Sequence, residues 1–173
     1  MISFGRGCAN ASFPGVYTKI QSYIEWIESN LEPETTVATQ GQFPYQVLWC
    51  FDLLCSSFCG GSIFNERTII TAAHCCDNVG KPDELDLSKT VIVAGITNKV
   101  FGMVMGGPQQ GRRVKSHIKH PDYNTITYQS NICLLTLDIP LEFNVNISKI
   151  ELDFEEPLVD TNCTVSGWDE VHS

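Results

Sequence analysis

The apolar positions of this chain fall into two textures. Between residues 14 and 31, Ile20, Tyr23, Ile24 and Ile27 recur at spacings of 3, 4 and 7 and make one helical face. Thr18-Lys19-Ile20-Gln21 opens this stretch as a capping box, with Thr18 at the N-cap and Gln21 at N3. Asn30 and Pro33 close it, so a helix is predicted over about residues 19–29. Residues 34–42 are polar and threonine-rich and read as a linker. From Phe43 onward the pattern changes to short apolar runs at residues 45–51, 58–64, 68–72, 90–94, 114–118, 132–137 and 163–168. Gly, Asn, Asp and Pro separate them, which predicts an antiparallel β-barrel or sandwich. Residues 103–113, with three glycines and two glutamines, read as a long surface loop. No internal repeat or low-complexity tract interrupts the series.

Composition narrows the class. A chain of 173 residues is long enough to bury one sizeable core. The net charge of −9 argues against nucleic acid as a partner, because phosphate contacts need clustered Lys and Arg. No run approaches the roughly 18 apolar residues of a membrane span. The eight cysteines are dense for a cytosolic enzyme and indicate an oxidising, extracellular setting. Three Asn-X-Ser/Thr sequons, at Asn10, Asn146 and Asn162, are candidate glycosylation sites and agree with secretion. Met1 nevertheless leads straight into Ile2-Ser3-Phe4-Gly5 without a basic region or an apolar run, so a secreted body without an export signal suggests a longer parent protein.

The chemistry concentrates around one histidine. Cys59-Gly60-Gly61-Ser62-Ile63 is followed by Ile69-Ile70-Thr71-Ala72-Ala73-His74-Cys75. Phe43-Pro44-Tyr45-Gln46-Val47 lies upstream; His120-Pro121-Asp122-Tyr123-Asn124 and Ile132-Cys133-Leu134-Leu135-Thr136-Leu137 lie downstream. Together with Cys163-Thr164-Val165-Ser166-Gly167-Trp168, these motifs resemble, in residues and in order, the trypsin/chymotrypsin family of serine endopeptidases. The resemblance implies an all-β, trypsin-like antiparallel barrel, the first of two, with the start of the second. It implies action on protein or peptide substrates and requires no cofactor or metal. It places His74 at the general-base position and makes Cys59 and Cys75 a disulfide that braces it. The bracing also has a physical reason, since a general base must be held within hydrogen-bond reach of its nucleophile.

Residues 2–28 resemble the family's last strands and C-terminal helix: Ile2-Ser3-Phe4-Gly5-Arg6-Gly7-Cys8-Ala9, Pro14-Gly15-Val16-Tyr17-Thr18 and Tyr23-Ile24-Glu25-Trp26-Ile27. Ser3, Phe4 and Gly5 fall where the family pairs with substrate backbone. The order is therefore tail before head. Residues 1–31 read as the end of one domain, 32–42 as a linker, and 43–173 as the barrel and connector of a truncated domain. Either one domain's end is fused to another's beginning, or a single domain is rearranged. In the family the C-terminal helix packs on the first barrel, so the predicted helix could dock in cis on the barrel that follows it.

Three elements of an active member are altered or missing. No Ser stands in a Gly-Asp-Ser-Gly-Gly-Pro turn. Ser130-Asn131-Ile132-Cys133-Leu134-Leu135 puts Asn131 where the family carries the triad Asp. That exchange in an active member costs about 10⁴-fold in turnover. The position for a cleaved, activating N-terminus falls on Glu32-Pro33-Glu34-Thr35, with no Arg or Lys just before it. A homologue inactive as this chain is expected, with a non-catalytic module that binds a protein partner, or the remainder of a multi-domain protease, as the alternative.

Cys8 and Cys163 resemble family cysteines whose partners lie elsewhere. Cys50 and Cys55 flank a short turn and form one candidate pair, or one of them takes Cys76. Cys133, in place of a small core residue, is expected as a buried thiol. A zinc site from Cys50, Cys55, Cys59, His74, Cys75 and Cys76 lacks the C-x₂-C spacing such sites favour. The acidic stretch 138–160 is expected to be a solvated strap rather than an exosite for a basic partner.

Overall fold

The first strand, β1 (Gln46–Cys50), is buried on both faces. Val47 and Trp49 point into the main core, while Leu48 and Cys50 join a second cluster with Val93 on the outer side. A strand covered on both sides needs apolar residues at consecutive positions, which is why residues 47–50 read as an unbroken run rather than an alternation. The computed structural model that shows this describes residues 37–51, 55, 58–77, 87–98, 109–153 and 164–168. The predicted helix, Ser3, Phe4, Gly5, Cys8, Asn10, Asn162 and Cys163 lie outside the described residues.

Five further strands complete the architecture: β2 (Phe58–Asn65), β3 (Thr68–Thr71), β4 (Val91–Ala94), β5 (Gln110–Lys119) and β6 (Cys133–Leu137). They close into an antiparallel barrel in the order β1-β2-β3-β6-β5-β4, with β4 returning to β1. Closure leaves no open sheet edge. Val47, Trp49, Ile63, Ile69, Ile92, Leu135 and Leu137 fill the interior with no exposed surface. On β6 the alternation is clean, with Cys133, Leu135 and Leu137 inward and Leu134 exposed. The pairing of β3 with β6 sets Thr71 opposite Cys133 and Ile69 opposite Leu135. It therefore brings the residues just after β3 beside those just before β6, which is where His74 and Asn131 sit.

The stretch from Asp138 to residue 153 runs back over the barrel and is held there. Leu137 and Leu141 donate backbone N–H groups to the Arg67 and Glu66 carbonyls at 2.8 Å, and Ile150 donates to Ile63 at 2.8 Å. Leu141 and Ile147 are buried in the core. Strap and barrel are thus one packed body in this region.

Two expectations change. Residues 110–113, read as part of a surface loop, belong to β5. Gln110, Gly111, Arg112 and Arg113 pair with Ala94, Val93, Ile92 and Val91, because β4 needs a second partner for the barrel to close. Arg112 is anchored there by donating Nε to the Pro140 carbonyl at 2.9 Å. Residues 164–168 form no strand. Trp168 instead packs against the outer Leu48–Val93 cluster and donates Nε1 to the Thr97 carbonyl at 3.0 Å.

A small polar cluster sits where β5 meets the turn after β3. Lys119 pairs with Asp77, and the partly buried Tyr123 hydroxyl, which hydrogen-bonds Asp77, is pushed well above its ordinary range, first by desolvation and then by Asp77. Half-buried His117, facing Lys119 and Asp77, is held below its ordinary value, first by desolvation and then by the Lys119 charge, with Asp77 opposing. A histidine of depressed pKa binds fewer protons folded than unfolded, so stability is present above about pH 6.5 and is lost as pH falls through the folded value. His117→Gln is expected to flatten the decline of Tm below about pH 6.5 relative to the parent; an unchanged slope would assign that decline elsewhere.

Gly61 gives a sharper packing test. A Cβ there would lie 2.9 Å from Ile69 Cγ2 and 3.0 Å from the Ile70 carbonyl oxygen. A backbone carbonyl in a barrel strand cannot retreat cheaply. Gly61→Ala is expected to destabilise the domain by about 1–3 kcal/mol in urea denaturation.

Candidate active site

The site is assembled by three short pieces of backbone. Leaving β3, Thr71 donates its hydroxyl to the Gly60 carbonyl at 2.8 Å and ties the strand end to β2. Ala72 is extended, with φ −80° and ψ 145°, and the chain then enters a 3₁₀ turn, Ala73–Cys76. Ala72 and Ala73 are both buried, and small side chains let the turn lie flat on the core. The turn is closed by Cys75 N–H to the Ala72 carbonyl and Asp77 N–H to the His74 carbonyl, each at 3.2 Å.

The first N–H groups of a helical turn have no partner within it. At His74 that N–H donates to Asn131 Oδ1 at 2.9 Å. The other end of the same amide, Nδ2, lies 2.9 Å from His74 Nδ1. These two contacts fix the amide's orientation. A backbone N–H only donates, so it must face the oxygen, and the NH₂ group is left facing the ring. The NH₂ group also only donates, so Nδ1 accepts. In the neutral imidazole the proton therefore resides on Nε2.

The third piece is the loop of residues 122–130. Asn124 Oδ1 accepts the N–H groups of Ile126 at 2.9 Å and Thr127 at 3.0 Å, and the Asn124 carbonyl accepts Tyr128 N–H at 2.8 Å. Tyr128 and Ser130 hold φ of +55° and +54°. Such left-handed backbone is costly for residues with a Cβ and persists where the surroundings impose it. Here it brings the Tyr128 ring edge-on to His74, at 5.8 Å between centroids and 76° between planes.

Three disulfides occur among the described residues: Cys50–Cys55, Cys59–Cys75 and Cys76–Cys133. The structure thus pairs Cys59 with Cys75 beside His74. Cys133 is fully buried, but it is not the free thiol expected from its small-residue position, because Cys76 packs against it and bonds it. Cys59, His74 and Cys75 place possible ligand atoms within 4.8 Å of one another. Both sulfurs of that group are spent on each other, and every cysteine of the alternative zinc set is in a disulfide.

Of the residues singled out by sequence, His74, Asn131, Cys59 and Cys75 converge. Asn146 belongs to a different element, the turn closed by Asn144 and Ile147, where it is half-buried with Oδ1 close to Gly41. Ser3, Phe4, Gly5, Asn10 and Asn162 are not among the described residues. Sequence reasoning missed Tyr128, since nothing local in Thr127-Tyr128-Gln129 marks a tyrosine that meets an imidazole. It also missed Cys76–Cys133, although each cysteine follows a site residue by two positions.

Comparison with known proteins agrees with this geometry. A family profile described as Trypsin matches residues 33–173. Human Trypsin-3 is 32% identical over 129 residues, covering 75% of this chain and 37% of that protein. The Drosophila melanogaster serine proteinase stubble is 33% identical over 147 residues, covering 79% of this chain and 18% of that protein. Trypsin-1 of Astacus astacus is 35% identical over 137 residues, covering 77% and 54%. The chain thus spans only part of the length of the relatives it matches.

Because one amide serves both His74 contacts, truncating it strands a backbone donor and a ring acceptor together. Asn131→Ala is expected to cost about 1–3 kcal/mol in denaturant unfolding. Asn131→Asp, which keeps an acceptor for the His74 N–H, is expected to lose distinctly less.

Proposed function

This chain belongs to the trypsin family of serine proteases, and on that premise we propose that it is a serine-endopeptidase homologue whose base position is held in a form that does not act as a base. One observation carries the reading: Asn131 donates Nδ2–H to His74 Nδ1 while its Oδ1 is occupied by the His74 backbone N–H. A general base must accept the nucleophile's proton at Nε2, and a neutral imidazole already protonated there has no lone pair to offer. An aspartate would accept from both groups, leave the proton on Nδ1 and stabilise the imidazolium as it forms. The neutral amide does neither.

The reading extends to the parts that the geometry does not reach. Residues 1–31 are the tail of one trypsin-like domain, 32–42 a linker and 43–173 the head of the next, in an extracellular protein that meets protein or peptide partners. Within the 173 residues no Ser lies in a Gly-Asp-Ser-Gly turn, so hydrolysis by this chain alone is not expected. A non-catalytic module that binds a protein partner is the second reading. It is favoured by the loop beside His74, which exposes Ile126 and part of Tyr128.

Two measurements test the proposal. Imidazole ¹⁵N spectra of the chain at neutral pH are expected to show His74 as the Nε2–H tautomer, and Asn131→Asp is expected to convert it to Nδ1–H. A parent spectrum with the proton on Nδ1 would remove the basis of the reading. A fluorophosphonate serine probe is expected to leave the purified chain unlabelled, and stoichiometric labelling would overturn the proposal outright. In any longer form that contains the nucleophile, Asn131→Asp is expected to raise turnover by about 10⁴-fold.

A further inference from the structure

Two disulfides converge on the turn that carries His74. Cys75 ties it to Cys59 on β2, and the adjacent Cys76 ties it to Cys133, the first residue of β6. The resemblance that identifies His74 accounts for the first of these and is silent on the second. The second has a different geometry with respect to the site. Cys76 is two residues beyond His74, and Cys133 is two residues beyond Asn131. The backbone from His74 to Cys76, the disulfide, the backbone from Cys133 back to Asn131, and the Asn131 amide to His74 therefore make one small ring. Only the last link of that ring is non-covalent.

We infer that Cys76–Cys133 is a positioning element for the His74–Asn131 pair, holding the two backbones at the separation at which one amide spans both His74 N–H and Nδ1. Several observations support this role over a generic contribution to barrel stability. His74 and Asn131 lie on segments 57 residues apart in sequence. Apart from the disulfide, these segments are joined by the β3–β6 ladder, by the His120 N–H bond to the Ile132 carbonyl at 2.9 Å, and by the Lys119–Asp77 pair, which links the turn to β5 beside β6. That ladder ends at the pair Thr71–Cys133, so both site residues lie beyond its last rung. The Asn131 side of the gap is a tight reversal, with Ile132 N–H donating to the Ser130 carbonyl at 2.8 Å and Ser130 at φ +54°. Such a turn has other low-energy geometries available unless something anchors it. Cys133 anchors it one residue later. Cys76 and Cys133 are 4% and 0% exposed, so the link is shielded from external thiols and serves as a fixed strut.

The inference rests on the reading of the His74–Asn131 contact given above, and its test separates the two. The chain would be prepared as Cys76→Ala/Cys133→Ala, with Cys50→Ala/Cys55→Ala as a control that removes a disulfide away from the pair. The first variant is expected to retain its β-sheet circular dichroism while Tm falls by roughly 10 °C. Its His74 ring is expected to pass from one tautomer to an exchange-averaged pair, with the Asn131 NH₂ signals broadening. The control is expected to leave the His74 spectrum as in the parent. A folded Cys76→Ala/Cys133→Ala protein with the parent's His74 spectrum would overturn the inference. Should that variant not fold, the parent decides alone. With the strut in place, the His74 backbone amide is expected to exchange hydrogen as slowly as the β3 and β6 amides. Exchange more than tenfold faster, through local opening, would overturn the inference. If the parent shows His74 protonated on Nδ1, the functional reading fails, yet the strut is still judged by whether the spectrum changes when it is removed.

Discussion

The candidate site depends on a single carboxamide. Asn131 is required to satisfy two groups that approach from the same side, the His74 backbone N–H and the His74 ring nitrogen Nδ1. A carboxylate in that place has acceptors on both oxygens and imposes no choice on the ring beyond donating Nδ1–H. An amide has one acceptor and one donor group, so once the backbone N–H has claimed the oxygen the ring is left with the donor. The tautomer of His74 is thus decided by a main-chain hydrogen that takes no part in any chemistry. The chemical identity of one atom at Asn131 separates an imidazole poised to take a proton from one poised to give it.

The barrel makes that contact possible by register. The antiparallel pairing of β3 and β6 sets the end of one strand against the start of the other, and the residues immediately beyond are delivered together. On β3 the continuation is Ala72-Ala73, small enough to turn sharply over the core. On β6 the approach is made by a loop in left-handed backbone at Tyr128 and Ser130. Two consecutive cysteines then tie the turn to strands on either side of it, β2 and β6. The strand ladder brings the pair within range, and the covalent links narrow that range to hydrogen-bond distance.

Much of this could be read in the sequence where the pattern is local. The strands of residues 46–50, 58–65, 68–71, 91–94 and 133–137 declare themselves as apolar runs between turn residues, because each must cover at least one face. The start of β5 does not. Gln110, Gly111, Arg112 and Arg113 carry no apolar signal, and they are strand because β4 requires a neighbour on that side. Cys133 shows the same division. Its burial follows from alternation along β6, whereas its bond to Cys76 depends on how β3 and β6 are laid together. Tyr128 reaches His74 through a backbone conformation that its side chain disfavours, and local propensity points away from that outcome. What escaped the sequence was a consequence of closure, of register, or of a backbone conformation imposed by the surroundings.

The energetics of the exchange at Asn131 also bear on why the geometry persists without an acid. A carboxylate held among part-buried groups must be desolvated, and it recovers that cost fully only when the imidazole beside it becomes a cation. In an active member that cation forms at every turnover. Where it never forms, the charge is a standing cost, and the neutral amide keeps both hydrogen bonds without it. On the proposed reading, the amide lacks the electrostatic function of an acid at this position while keeping its two hydrogen bonds. The bracing of His74 bears on the same point. Cys59–Cys75 and Cys76–Cys133 tie the turn that carries His74 to β2 and β6, and the Asn124-capped loop sets Tyr128 against the ring. On the proposed reading, a site relieved of catalysis but still braced would serve the barrel mouth structurally, with its imidazole meeting the Tyr128 ring edge-on.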